Sequence, residues 1–143
     1  MMAKQISVFL ENKAGRLSHV TRVLGEADIN IRALSIADTS DFGILRIIVS
    51  DPEKAYKILK EAGFTVSETE VIAVQVPDSP GGLADVLEQM SEASLNIEYL
   101  YAFLGTTEKD ALVIFKVEDF TKARNAFIEK GIKFLDETEL YKL

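Results

Sequence analysis

The stretch "NKAGRLSHVTRVLGEADINI", which starts at Asn12, returns as "DSPGGLADVLEQMSEASLNI", which starts at Asp78. At a constant offset of 66, Gly15 meets Gly81, Leu17 meets Leu83, Val20 meets Val86 and Leu24 meets Met90. Ala27 then meets Ala93, and Asn30-Ile31 meets Asn96-Ile97. Upstream, Ile6, Val8 and Leu10 fall on Ile72, Val74 and Val76. Farther on the offset is 68: Asp51 meets Asp119, Ala55 meets Ala123 and Gly63 meets Gly131. The extra pair of residues is expected in the turn "TTEKD" of the second copy. A repeat of this length, broken only by a small insertion in a turn, predicts two copies of one fold. A chain of 143 residues has room for one ordinary domain or two very small ones. The repeat selects two, residues 1–66 and 67–143.

Each copy reads in the same order. Ile6, Val8 and Leu10 alternate with Gln5, Ser7 and Phe9, which is the period of a strand. Leu17, Val20, Leu24 and Ala27 fall at helical spacing and form one apolar stripe. Asn30 to Asp38 and Phe42 to Ser50 read as a second and a third strand joined by the polar turn "DTSD". Asp51 caps a second helix that has Pro52 at its first position, where the missing N–H costs nothing. Ala55, Ile58, Leu59 and Ala62 make its buried face, and Gly63 suits a left-handed stop. A last strand begins near Phe64. The order β-α-β-β-α-β predicts an α+β fold of two ferredoxin-like units, with antiparallel sheets and helices on one face. The third strand, "FGILRIIV", is apolar on both faces, and "YLYAFL" behaves similarly. A sheet solvated on one side alternates cleanly, so the helix-free face is expected to be covered, by the other repeat or by a second subunit. The sheets are expected to join within the chain, and the chain to form a homodimer.

Composition removes several classes of function. With 16 basic against 23 acidic residues the net charge is −7, and such a surface repels a phosphate backbone, so nucleic acid is not an expected partner. No apolar run approaches the ~20 residues that span a bilayer, so no membrane association is expected. "MMAKQISVFL" lacks the apolar core and cleavage site of a secretory signal. There is no cysteine, which excludes disulfides and thiolate metal sites. Together these features point to the cytoplasm, with no metal or cofactor.

Candidates for catalysis are few. His19, the only histidine, falls beside the Leu17/Val20/Leu24 stripe and reads as a surface residue. No P-loop, dinucleotide fingerprint or nucleophile elbow is present. An RNA-reading version of the fold would carry aromatics on its central strands, whereas strand three reads "ILRIIV". An acylphosphatase-like hydrolase would place an arginine in the first loop and an asparagine on strand two. Arg16 and Asn30 fit that pattern, but Gly82 stands at the arginine position of the second copy.

The turns before the first helices, "ENKAGRL" and "PDSPGGL", carry a different chemistry. Glycine allows close approach to the backbone. A helix start offers free N–H groups and partial positive charge to a carboxylate, and Asn12 and Asn30 supply both donors and acceptors. A free amino acid needs donors for its carboxylate and acceptors for its ammonium. The alternative is structural: Asn12 and Asp78 cap the helices, and Asn30 and Asn96 form local turns.

At these residues the sequence resembles the ACT domain family of small amino-acid-binding regulatory modules. The family pattern is a strand, Asp/Asn-x-x-Gly-x-Leu, a helix, and Asn-Ile entering strand two. Asn12, Gly15, Leu17 and Asn30-Ile31 match it, as do Asp78, Gly81, Leu83 and Asn96-Ile97. The family's proline is Ala14 in the first copy and Pro80 in the second. The resemblance implies a tandem ACT protein that binds an amino acid where two modules meet and carries no catalytic domain. Its contacts would be Asn12, Gly15, Arg16, Leu17, Asn30 and Ile31, with Asp78, Gly81, Gly82, Leu83, Asn96 and Ile97 in the second copy. The carboxylate is expected at the Gly15–Leu17 helix start, with Asn30 orienting the ligand. A regulatory or assembly subunit that binds an enzyme of amino-acid metabolism, without a ligand of its own, is the alternative.

Overall fold

Alternating and 3.6-period apolar residues become paired strands and half-buried helices. The computed structural model describes residues 3–11, 13–38, 41–103 and 110–141. Asn12 lies outside the described residues, as do Thr39 and Ser40 of the "DTSD" turn and all of "TTEKD" except Asp110. The chain divides into two compact units, one built on Lys4–Thr69 and the other on Glu70–Tyr141.

The first unit runs β1 (Ala3–Glu11), α1 (Arg16–Glu26), β2 (Ile31–Asp38), β3 (Phe42–Val49) and α2 (Pro52–Glu61), then enters β4 (Thr65–Pro77). β3 pairs antiparallel with both β1 and β2, with Val8 opposite Leu45 and Leu34 opposite Ile47. In the first stretch of β4, Glu68 forms an ion pair with Lys4 of β1 at 3.7 Å. Ile6, Val8, Leu10, Leu45, Ile47 and Val49 face one side and pack against Val20 and Leu24 of α1 and Ala55 and Leu59 of α2. One face of the sheet therefore carries both helices.

The second unit uses the rest of β4 as its first strand and continues through α3 (Gly82–Glu92), β5 (Ile97–Ala102), β6 (Asp110–Val117), α4 (Phe120–Lys130) and β7 (Phe134–Leu135). Its strand order is β7-β4-β6-β5, antiparallel throughout, the fourth-first-third-second order of a ferredoxin-like unit. A short helix, α5 (Glu137–Tyr141), follows and has no counterpart in the repeat pattern. The core repeats the first: Ile72, Val74, Val76, Val113, Phe115 and Val117 against Val86, Met90, Ala123 and Phe127. Phe115 and Phe127 are fully buried, and truncating either to alanine is expected to cost about 3–5 kcal/mol. Leu34 pairs with Ile47 and Leu100 with Phe115. The offset thus changes between β5 and β6, where the sequence placed the insertion.

All four long helices end alike. A residue with positive φ (Asp28, Gly63, Ser94 or Gly131) follows the last turn. The next N–H, from Ile29, Phe64, Leu95 or Ile132, then bonds back to the carbonyl of Leu24, Leu59, Met90 or Phe127. This is the Schellman closure, in which an apolar side chain just past the helix packs back on it. Lys54 and Lys122 complete the ends of α1 and α3 by donating to the carbonyls of Ala27 and Ser94, at 2.8 and 3.1 Å.

The helix-free faces are only partly solvated: Phe9 stays exposed, but other positions are closed. Gln5, Ala33 and Ile48 in the first unit and Val71, Ala73 and Ile114 in the second are fully buried, and Gln5 donates to the Ser7 hydroxyl at 3.0 Å. Leu17 departs from the expected stripe. It sits in the first turn of α1 and stays 40% exposed, and its counterpart Leu83 stays 38% exposed.

Candidate functional site

The turn from β1 into α1 is built from backbone. Lys13 N–H bonds to the Glu11 carbonyl at 2.8 Å and Arg16 N–H to the Lys13 carbonyl at 3.3 Å. The second unit repeats this, Ser79 to Pro77 at 2.9 Å and Gly82 to Ser79 at 3.0 Å. The residue before each helix is a left-handed glycine, Gly15 at φ 86° and Gly81 at φ 85°, and among the described residues no side chain caps either helix. Among the described residues Asp78 makes no hydrogen bond to the helix start. The second helices differ: Asp51 accepts from Lys54 N–H at 3.2 Å and Asp119 from Lys122 N–H at 3.1 Å. An uncapped helix start keeps its partial positive charge open to an anion.

The glycines themselves serve the turn. A left-handed φ explains Gly15 and Gly81 without a ligand. A Cβ on Gly82 would collide with the Pro77 carbonyl oxygen, so packing alone explains a glycine at that position.

Arg16 turns back toward Glu11, at 3.8 Å, and Lys13 pairs with the same carboxylate at 2.9 Å. The Lys13 hydrogen bond and charge, with Arg16 behind them, hold the Glu11 carboxyl below the usual carboxylate range. Arg16 also lines a cleft of about 220 Å³ with Phe9, Glu11, Phe42, Gly63, Phe64 and Thr65. A cleft of about 350 Å³ in the second unit is lined by Gln75, Pro77, Gly82, Asp110, Gly131, Ile132 and Lys133. These are the same positions at offsets 66 and 68. Each unit therefore has one cleft between the start of its first helix and the end of its second. Phe9 and Phe42 give way to the polar Gln75 and Asp110, Thr65 to Lys133, and Phe64 to the apolar Ile132. Neither cleft was recognised in the sequence, although the repeat register aligns their positions.

Asn30 and Ile31 sit elsewhere. α1 has 11 residues and so spans about 16 Å. Gly15, Arg16 and Leu17 lie at one end of it and Asn30 at the other. Asn30 N–H bonds to the Ser50 hydroxyl at 3.0 Å, and Ser50 N–H to the Asn30 carbonyl at 2.9 Å. In the second unit Glu118 N–H bonds to the Asn96 carbonyl at 3.0 Å, and the Asn96 carboxamide donates to the Glu118 carboxylate at 2.9 Å. Ile31 and Ile97 pack against their cores. The structure thus brings together Gly15–Leu17, and separately Asn30 with Ser50, but does not place the two groups side by side in one unit. The same holds for Gly81–Leu83 and Asn96. Asp78 is exposed beside the start of α3.

Among the described residues no helix is long and apolar enough to cross a membrane. The fold is similar to that of protein BT0572 from Bacteroides thetaiotaomicron, at 46% identity over 100% of this chain and 98% of that one, with a TM-score of 0.93. The ligand-free regulatory subunit of aspartate kinase from Thermus thermophilus matches at 18% identity over 90% of this chain and 91% of that one, TM-score 0.63. The regulatory subunit from Thermus flavus matches at 18% identity over 90% and 92%, TM-score 0.61. At such identity these two likenesses are of fold. No curated protein matches the chain. A family model described as an ACT domain pair matches residues 1–143. With its two ferredoxin-like units and the matched turns that open their first helices, the chain belongs to the ACT domain pair family.

Proposed function

We propose that this chain is an amino-acid-binding regulatory protein with no catalytic step of its own, its modules being residues 1–66 and 67–143 and its ligand held where two modules meet. The observation that carries this reading is the left-handed glycine entry to the first helix in both modules, which places no capping side chain at the N-cap position. It keeps an anion-favouring helix start free while the second helices are capped by Asp51 and Asp119. The ligand carboxylate is assigned to Gly15–Leu17, with Asn12 beside it. Because Asn30 lies at the far end of α1, the Asn30 that meets the ligand comes from another module. Such a junction would also cover Leu17 and Leu83, which supports a homodimer. The expected setting is the cytoplasm.

A screen of the twenty amino acids by thermal shift tests this. A ligand at ~100 times its dissociation constant adds roughly 2.7 kcal/mol when it binds only the folded state, a rise of several degrees for a chain of this size. Asn12→Ala with Asn30→Ala is expected to abolish the shift, and Asp78→Ala with Asn96→Ala to keep most of it. Equal loss in both would mean a symmetric site. Two chains of this fold are regulatory subunits of aspartate kinase, which favours a second reading: a regulatory or assembly subunit that binds an enzyme of amino-acid metabolism. No shift from any amino acid, with none already bound, selects that reading.

A further inference from the structure

At the start of β2 the two modules differ in a way the repeat makes measurable. The ladder between β2 and β3 slips between Ile31 and Ala33, so Arg32 is the bulged residue. The ladder between β5 and β6 slips between Ile97 and Tyr99, so Glu98 is its counterpart. Glu98 is neutralised by Lys116 at 2.8 Å. The residue matching Lys116 in the first module is Ile48, fully buried and uncharged.

Among the described residues Arg32 has no such partner. Its Nε is buried without a hydrogen-bond acceptor, and none of the ion pairs among the described residues involves it. Two residues earlier, Asn30 uses only its backbone, toward Ser50, whereas the Asn96 carboxamide is held by Glu118. Both polar side chains at the mouth of β2 are thus unpartnered in the first module, and both equivalents are paired within the second. Arg32 as a whole is half-buried, but its buried Nε–H without an acceptor is unfavourable. Its planar fork matches a carboxylate, and bulges on edge strands commonly aim a side chain at a site.

We propose that Arg32 binds a second negative group on the ligand, which makes that ligand a dicarboxylic amino acid, aspartate or glutamate in class. This rests on the amino-acid-binding reading above: the helix start takes the α-carboxylate, and Arg32 with Asn30 takes the side-chain carboxylate. The second module, with Asn96 and Glu98 already paired, takes no such group. A neutral amide in place of the side-chain carboxylate leaves the cation uncompensated, and a site built for a polar partner rejects an analogue lacking it.

Isothermal titration of the full chain tests this with aspartate, glutamate, asparagine, glutamine and the amine-free dicarboxylate succinate, on wild type, Arg32→Gln, Arg32→Lys and Glu98→Gln. The expected result is an acidic amino acid bound at least tenfold tighter than its amide. That preference is lost in Arg32→Gln, partly restored in Arg32→Lys and unchanged in Glu98→Gln. Equal affinity for acids and amides, or a preference that survives Arg32→Gln, overturns the proposal while leaving amino-acid binding intact. Succinate binding that depends on Arg32, without response to any amino acid, sinks the amino-acid reading and keeps the anion site. No binding of any probe overturns both. Should Arg32→Gln fail to fold, Arg32→Lys carries the same comparison.

Discussion

The Asn96 carboxamide donates to the Glu118 carboxylate across 2.9 Å, while at the matching place in the first module Ser50 accepts from the Asn30 backbone N–H at 3.0 Å. One substitution at the end of a strand therefore decides whether the asparagine opening the next strand pair is occupied or available. Glu118→Ser should release the Asn96 side chain. The contact is exposed and charge-assisted, so its loss is expected to lower stability by about 0.5–1 kcal/mol. Urea unfolding reads the loss, and the Asn96 side-chain amide resonances should move to solvent-exposed positions.

Left-handed residues set a second expectation. Gly15 and Gly81 hold φ values of 86° and 85°, and Ser94 holds 58° without being glycine. Placing a Cβ at φ > 0 costs roughly 1–2 kcal/mol. Gly15→Ala and Gly81→Ala should each destabilise by about that amount, and Ser94→Gly should leave stability unchanged or raise it by up to about 1 kcal/mol. Chemical denaturation of the three variants gives the comparison. A Ser94→Gly loss as large as the Gly81→Ala loss would contradict it.

Arg32 gives a prediction in the absence of ligand. Its Nε is buried and unpaired, so Arg32→Met, which keeps the apolar stem and removes the orphaned donor, should change the unfolding free energy by less than about 0.5 kcal/mol or raise it by up to about 1 kcal/mol. A loss of 2 kcal/mol or more would mean that the guanidinium is satisfied in the folded chain.

Glu11 supplies a pH dependence of known sign. The hydrogen bond and charge of Lys13, then the charge of Arg16, lower its pKa below the ordinary 4.5. A carboxylate depressed in the folded state favours folding above its unfolded pKa, and that contribution fades as pH falls through the folded value. Because Glu11 is exposed, the effect on stability is small and screened by salt. An NMR titration should place its midpoint below the ordinary value of 4.5. Lys13→Met should raise it, and added salt should narrow the difference.

Much of this fold was legible because its signals are local and duplicated. The Ile6/Val8/Leu10 and Ile72/Val74/Val76 alternation, the Asp51-Pro52 helix start and the Gly63 stop each state their own geometry. The repeat register located the insertion between β5 and β6. Asp28 and Ser94 were not read as helix stops, because neither residue type demands a left-handed backbone; tertiary closure onto Leu24 and Met90 imposes it. Leu17 followed the helical period yet stays exposed, since periodicity identifies a face but not what lies opposite its first turn. The site was less legible. The asparagines and glycines of "ENKAGRL" and "PDSPGGL" were visible as a pattern, but the distance between Gly15 and Asn30 depends on the length and direction of α1. The pairing of Glu98 with Lys116 and of Asn96 with Glu118 exists only once β5 and β6 are side by side. Arg32, whose meaning lies in the partner it lacks, carries no signature in sequence at all.

Amide NMR of the labelled full chain, titrated with each of the twenty amino acids, tests amino-acid binding at the module junction most directly. At least one acidic amino acid should produce saturable shifts at Gly15–Leu17 and at Asn30–Arg32, with smaller changes at Gly81–Leu83 and Asn96–Glu98. Spectra unmoved by every amino acid, from protein shown by mass spectrometry to carry none, would contradict that claim, as would shifts confined to residues outside these four segments.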